Sequence, residues 1–142
     1  MDQAVGQHEE TRAPDNGAVG VLTVDDDTRY RRLVRDVIAA TAGFSVVGEA
    51  CCGEDGVSMA EALRPQLVLM DVQMPGIGGI EAARRIAAAD DDHVAVVLMS
   101  ADPQVLTPES LSGRTIALLR KERLCPRALR AIWEAWAAGR RS

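Results

Sequence analysis

Apolar residues along this chain fall into two kinds of run, and the two kinds alternate. The first kind is short, aliphatic and nearly unbroken. It comprises Val19-Gly20-Val21-Leu22-Thr23-Val24, Phe44-Ser45-Val46-Val47-Gly48, Leu67-Val68-Leu69-Met70, Val94-Ala95-Val96-Val97-Leu98-Met99 and Ile116-Ala117-Leu118-Leu119. Runs of this length and composition predict strands buried on both faces. The second kind is spaced for one face of a helix: Tyr30, Leu33, Val34, Val37 and Ile38; then Val57, Ala60 and Leu63; then Ile80, Ala83, Ile86 and Ala87; and finally Leu129, Ile132, Trp133, Trp136 and Ala137. Between the fourth and fifth strands, Thr107-Pro108-Glu109 carries a cap, a first-turn proline and an acid, yet Gly113 follows after little more than a turn. That helix is expected to be short.

Local signals set the boundaries. Asp27 or Thr28 can cap the first helix and Gly43 can terminate it. Pro65 ends the second helix and opens the third strand, and Pro126 opens the last helix. Strand and helix alternating through the chain predicts an α/β fold with a five-stranded parallel, doubly wound sheet and helices on both faces. Right-handed crossovers limit the topology to a few arrangements. Residues 1–17 lack periodicity and are expected to form a flexible leader, 18–139 a single domain and 140–142 a tail.

Composition narrows the function. A formal charge of -5 argues against a dedicated nucleic-acid surface, and no apolar run approaches a membrane span. Without a signal-peptide pattern, a cytoplasmic location is expected. Cys51, Cys52 and Cys125 form neither a disulfide framework nor a C-x-x-C motif, and are expected to be small, buried or half-buried side chains. His8 and His93 give zinc little support, the acids 90–92 read as a solvated turn, and no glycine-rich nucleotide loop is present.

The chemistry lies at strand ends. Asp25 and Asp26 close the first strand, Asp71 the third, Ser100 the fourth and Lys121 the fifth. In open parallel sheets ligands bind at the carboxyl edge, so four strands deliver polar or charged groups to one place. Three carboxylates brought close repel, which raises their pKa values or demands a cation, and oxygen ligands select a hard ion such as Mg2+. An aspartate can act as a nucleophile and form an aspartyl-phosphate, with a lysine and a hydroxyl stabilising the phosphoryl oxygens.

The motifs Val24-Asp25-Asp26-Asp27, Leu69-Met70-Asp71-Val72-Gln73-Met74-Pro75-Gly76, Met99-Ser100-Ala101 and Leu119-Arg120-Lys121 together resemble the response-regulator receiver domain of two-component signalling, from about Val19 to about Ala138. The resemblance implies strand order 2-1-3-4-5 with five helices. It implies Asp71 as phosphoacceptor and Mg2+ held by Asp26, Asp71 and the Gln73 backbone carbonyl, with Asp25 acting through water. Ser100 would be the switch hydroxyl and Lys121 would pair with the phosphoryl group. A sensor histidine kinase would be the donor. A downstream protein, or a second copy joined through the last strands and helices, would be the recipient of the signal.

Val46-Val47-Gly48-Glu49-Ala50 and Lys121-Glu122-Arg123-Leu124-Cys125-Pro126 look most like receivers that precede a LuxR-type DNA-binding domain, so a stand-alone receiver and a fragment of a longer regulator are both expected readings. Two positions depart from the family pattern. Leu118 stands where Tyr or Phe is common, and Gly78 where the loop usually carries Asp or Asn. The stretch from Ser100 to Lys121 holds two prolines and a weak helix, and unusual mobility or geometry is expected there. Rival readings are an aspartate-nucleophile phosphohydrolase, which usually needs a second acid where Gln73 stands, and a phosphorylation-independent scaffold. Turnover of a free substrate is not expected.

Overall fold

A computed structural model describes residues 17–89, 94–107 and 115–141. Most of the expected leader, the acidic run 90–92 and nearly all of the short helix expected from Thr107 onward lie outside the described residues. Five parallel strands form one sheet: β1 (Val19–Val24), β2 (Phe44–Ala50), β3 (Leu67–Asp71), β4 (Ala95–Ser100) and β5 (Thr115–Arg120). Their order is β2-β1-β3-β4-β5, as the resemblance implied. The described helices are α1 (Thr28–Ala39), α2 (Gly53–Leu63), α3 (Gly78–Ala88) and α4 (Pro126–Arg141). A 3-10 turn at Pro103–Val105 follows β4.

The apolar runs work as two-sided strands. Leu22, Val24, Val68, Met70, Val96 and Leu98 pack with Ala60 of α2 and Ala82, Ala83 and Ile86 of α3. The alternate positions Val21, Leu67, Leu69, Val97 and Met99 pack with Val34 and Ile38 of α1 and Leu129 of α4. Every residue of β1, β3 and β4 is buried. Leu118 is half-buried against the α2/α3 core. Trp133 packs edge-on against Phe44 at 6.4 Å and tilted against Trp136 at 5.2 Å, so both indoles belong to the core beneath α4.

Some boundaries fall where the local signals put them and others do not. Asp27 caps α1, its Oδ1 accepting from the amides of Arg29 at 2.9 Å and Tyr30 at 3.3 Å. The helix ends at Ala39 rather than at Gly43, whose φ of +88° serves the turn into β2. Cys51 and Cys125 are exposed rather than buried or half-buried, and only Cys52 is intermediate. Cys52 and Cys125 serve as caps, their Sγ atoms accepting from the amides of Asp55 and Ala128, each at 3.4 Å. α4 continues to Arg141, so residues 140 and 141, expected in a tail, are helical.

The register is uninterrupted between β1 and β3 and between β3 and β4. It shifts in the two outer pairings, where Val47 and Ile116 are the extra residues of β2 and β5. The β5 bulge lies within the stretch from Ser100 to Lys121, but β2 carries one as well, and the helix expected in that stretch falls on residues outside the description.

Candidate functional site

The β1–α1 junction is pinned at three points. The amide of Asp25 donates to Ala50 O at 3.0 Å, continuing the ladder past β1. Asp25 Oδ1 accepts the amide of Asp27 at 2.8 Å, and Asp25 O accepts Arg31 Nη1 at 2.6 Å. Arg31 is itself steadied by Glu49 at 3.7 Å, and Glu49 takes a two-pronged pair from Arg35 at 2.7 and 2.9 Å. Asp25 is thereby buried while Asp26, one residue on, faces solvent.

Asp71 closes β3, and the Val72 amide donates to Met99 O at 2.8 Å, so the backbone stays paired beyond the carboxylate. The loop returns at once, with the Gly79 amide donating to Val72 O at 2.9 Å. A Cβ on Gly79 would stand 2.0 Å from Asp71 O, so only glycine permits α3 to start this close behind Asp71.

Lys121 joins these two acids. β5 ends one residue earlier, at Arg120, and Lys121 opens a 3-10 turn, Lys121–Arg123. Its Nζ lies 2.7 Å from Asp25 Oδ2 and 3.3 Å from Asp71 Oδ2. Burial is the main influence raising the Asp71 carboxyl, to about 6, with the charge of Asp25 adding to it; Lys121 and the Gln73 amide act in the other direction. For Lys121, burial disfavours the charge, but the hydrogen bond and charge of Asp25, with Asp71 behind it, outweigh that and raise its pKa.

Ser100 is fully buried at the end of β4. Its hydroxyl donates to Gln73 Oε1 at 3.3 Å and accepts the Asp102 amide at 3.0 Å. Gln73 reaches the site by a second route, its amide donating to Asp71 Oδ1 at 3.2 Å. Asp25, Asp26, Asp71, Ser100 and Lys121 thus share one edge, as their strand-end positions led one to expect, and Gln73, which only the resemblance implied, joins them from the loop after β3.

Two neighbours were not singled out from the sequence. Tyr30 was read only as part of an apolar helical face, and Arg31 only as one of the arginines between. Their partners, Lys121 O and Asp25 O, are backbone atoms, which leave no residue-type signal.

Asp25, Asp26 and Asp71 each offer a carboxylate oxygen, all within 4.8 Å of one another. Asp25 Oδ2 is buried, and its charged partner is the lysine ammonium at 2.7 Å. Three carboxylates against one ammonium leave a formal charge of -2 in the cluster, and every donor is a hard oxygen. The residues fit a hard divalent cation. Among the described residues, no helix is long and apolar enough to cross a membrane.

Residues 21–121 match the family model described as the response regulator receiver domain. The chain is 45% identical over 80 residues to response regulator GacA of Pseudomonas aeruginosa, covering 56% of this chain and 37% of GacA. It is 36% identical over 107 residues to protein-glutamate methylesterase/protein-glutamine glutaminase 4 of Myxococcus xanthus, covering 75% of this chain and 30% of that one. The chain therefore spans only about 30–41% of the length of the curated relatives it matches. Among solved structures, it superimposes on a LuxR-family two-component response regulator from Aurantimonas with TM-score 0.75 and 26% identity, covering 86% of each chain. The receiver of Thermotoga maritima CheB gives TM-score 0.73 and 26% identity over 83% of this chain and 96% of that one. With its motifs, its sheet order and its acidic edge all in register with that family, the chain belongs to the response regulator receiver domains, with LuxR-type regulators among its relatives.

Proposed function

We propose that this receiver accepts a phosphoryl group on Asp71 from the phosphohistidine of a sensor histidine kinase, in a reaction that depends on Mg2+. The observation that carries the reading is the bridge of Lys121 across Asp25 and Asp71, with Asp26 open to solvent beside them. An attacking carboxylate, a cation site and a counter-ammonium are the parts that phosphoryl transfer requires.

Asp25, Asp26, Asp71 and the Gln73 backbone carbonyl would hold the ion, Asp25 through water. When bound, Mg2+ neutralises charge on the phosphoryl oxygens. The Asp71 carboxylate forms a new P–O bond while the donor's P–N bond breaks, and the electron pair of that bond stays on the imidazole, which leaves neutral because its other ring nitrogen carries a proton. Lys121 is already within reach of Asp71 Oδ2 and has only to transfer its ammonium to a phosphoryl oxygen. Ser100 must give up Gln73 Oε1 to turn its hydroxyl toward the same group. That exchange is the step that distinguishes two conformations, and partners with unequal affinity for them read the signal.

The protein is read as a cytoplasmic signalling module, not as an enzyme that turns over a free substrate. Receiver domains of this family work with histidine kinases and downstream effectors, and here a downstream protein or a second copy would engage the last strands and helices. Incubation with a small phosphodonor and Mg2+ should give wild type an acid-stable, base-labile phosphate that Asp71→Asn and added chelator abolish. Absence of that phosphate on wild type would count against phosphotransfer and favour a scaffold role.

A further inference from the structure

The sequence holds a single tyrosine and a single lysine, and in the fold they touch. Tyr30 lies in the first turn of α1, half-buried against the α1/α4 core. Its hydroxyl donates to the backbone carbonyl of Lys121 at 2.7 Å, and the Lys121 ammonium stands 4.5 Å from the centre of its ring. One aromatic side chain therefore grips the lysine twice, by its backbone and by its charge. The backbone grip matters because Lys121 follows β5 and is no longer held by the sheet ladder, the phenol adding to the longer bond its carbonyl takes from the Leu124 amide at 3.3 Å. The ring matters because a lysine side chain is long and flexible, and an aromatic face attracts a cation.

We propose that Tyr30 is the positioning residue of Lys121, fixing its carbonyl with the phenol and its ammonium with the ring, so that the lysine is aimed at Asp25 and Asp71 before a phosphoryl group arrives. The catalytic consequence rests on the phosphoacceptor reading; the positioning itself does not. Leu118, in the place where the family commonly carries an aromatic, packs into the α2/α3 core. The ring that meets the lysine comes from α1, so displacement of the ammonium is felt at the start of that helix.

The singular composition makes the test direct. Protein carrying isotope-labelled lysine gives one side-chain signal, whose relaxation reports the order of the Lys121 side chain. In wild type that chain should be restricted. In Tyr30→Phe, which keeps the ring, it should loosen slightly, and in Tyr30→Leu it should loosen clearly further, although Asp25 and Asp71 still hold its end. The initial rate of phosphorylation by a small phosphodonor with Mg2+ should fall about tenfold in Tyr30→Leu and about twofold in Tyr30→Phe, with the half-saturating donor concentration unchanged.

A folded Tyr30→Leu protein with wild-type lysine order overturns the proposal, as does an unchanged rate. Where Tyr30→Leu does not fold, Tyr30→Phe decides: lysine order and rate both equal to wild type overturn it. A wild-type protein that takes no phosphate fails the phosphoacceptor reading instead, and the lysine signal then decides on Tyr30 alone.

Discussion

Asp71 is only 5% exposed and shares its surroundings with Asp25, so its charge is costly to the fold. Its pKa is raised from 3.8 to about 6, which means the folded protein holds that proton more tightly than the unfolded chain does. The stability this contributes is fully present below the unfolded value and is lost as pH rises through about 6. Asp71→Asn should therefore be more stable than wild type above that range, by about 1–3 kcal/mol, and the gain should vanish near pH 4. Urea melts in chelator across this range check it. Lys121→Ala should act oppositely at pH 7.5, costing about 1–3 kcal/mol because two buried carboxylates lose their counter-ion. Asp25, Asp71 and Ser100 were legible in the sequence because each stops an apolar run. Tyr30 was not, since helical periodicity assigns it to the core and its hydroxyl's partner lies 91 residues away.

At the scale of the element, the helix starts were harder to read than the strands. A thiol is a weak acceptor, so sequence rules pass over Cys52 and Cys125 as caps. Cys52→Ser should stabilise the fold by about 0.5–1 kcal/mol through a stronger bond to the Asp55 amide, seen as a raised denaturation midpoint. The start of α3 depends on shape rather than capping: Ile77 makes no side-chain cap bond, and Gly79 lies against the Asp71 carbonyl. Gly79→Ala must push that helix away from Asp71. It should cost about 2–4 kcal/mol and slow phosphorylation as well, which equilibrium unfolding and the phosphodonor assay measure separately. Composition could place a glycine-rich loop here, but only the three-dimensional approach of two backbone segments explains why this glycine is required.

The whole molecule is two cores sharing one sheet, and the alternation along β1, β3 and β4 decides which core each residue enters. Removing side-chain volume from a shared strand should weaken both. Leu98→Ala, at a fully buried position, should cost about 2–5 kcal/mol in a single cooperative transition. Strand identity and parallel direction were legible from the aliphatic runs. Strand order came with the family's motifs, because apolar strands are interchangeable as far as pattern goes. The extra residues at Val47 and Ile116 had no sequence signal, being ordinary β-branched residues inside ordinary apolar runs.

Those two bulges divide the sheet by how long its amide protons should survive in heavy water. The ladders joining β1, β3 and β4 are unbroken, whereas both outer strands are interrupted partway along. Opening a margin breaks fewer continuous bonds than opening the centre. The carboxylates thus hang from the middle, where exchange should be slow, and the lone ammonium from a hem where it should be fast.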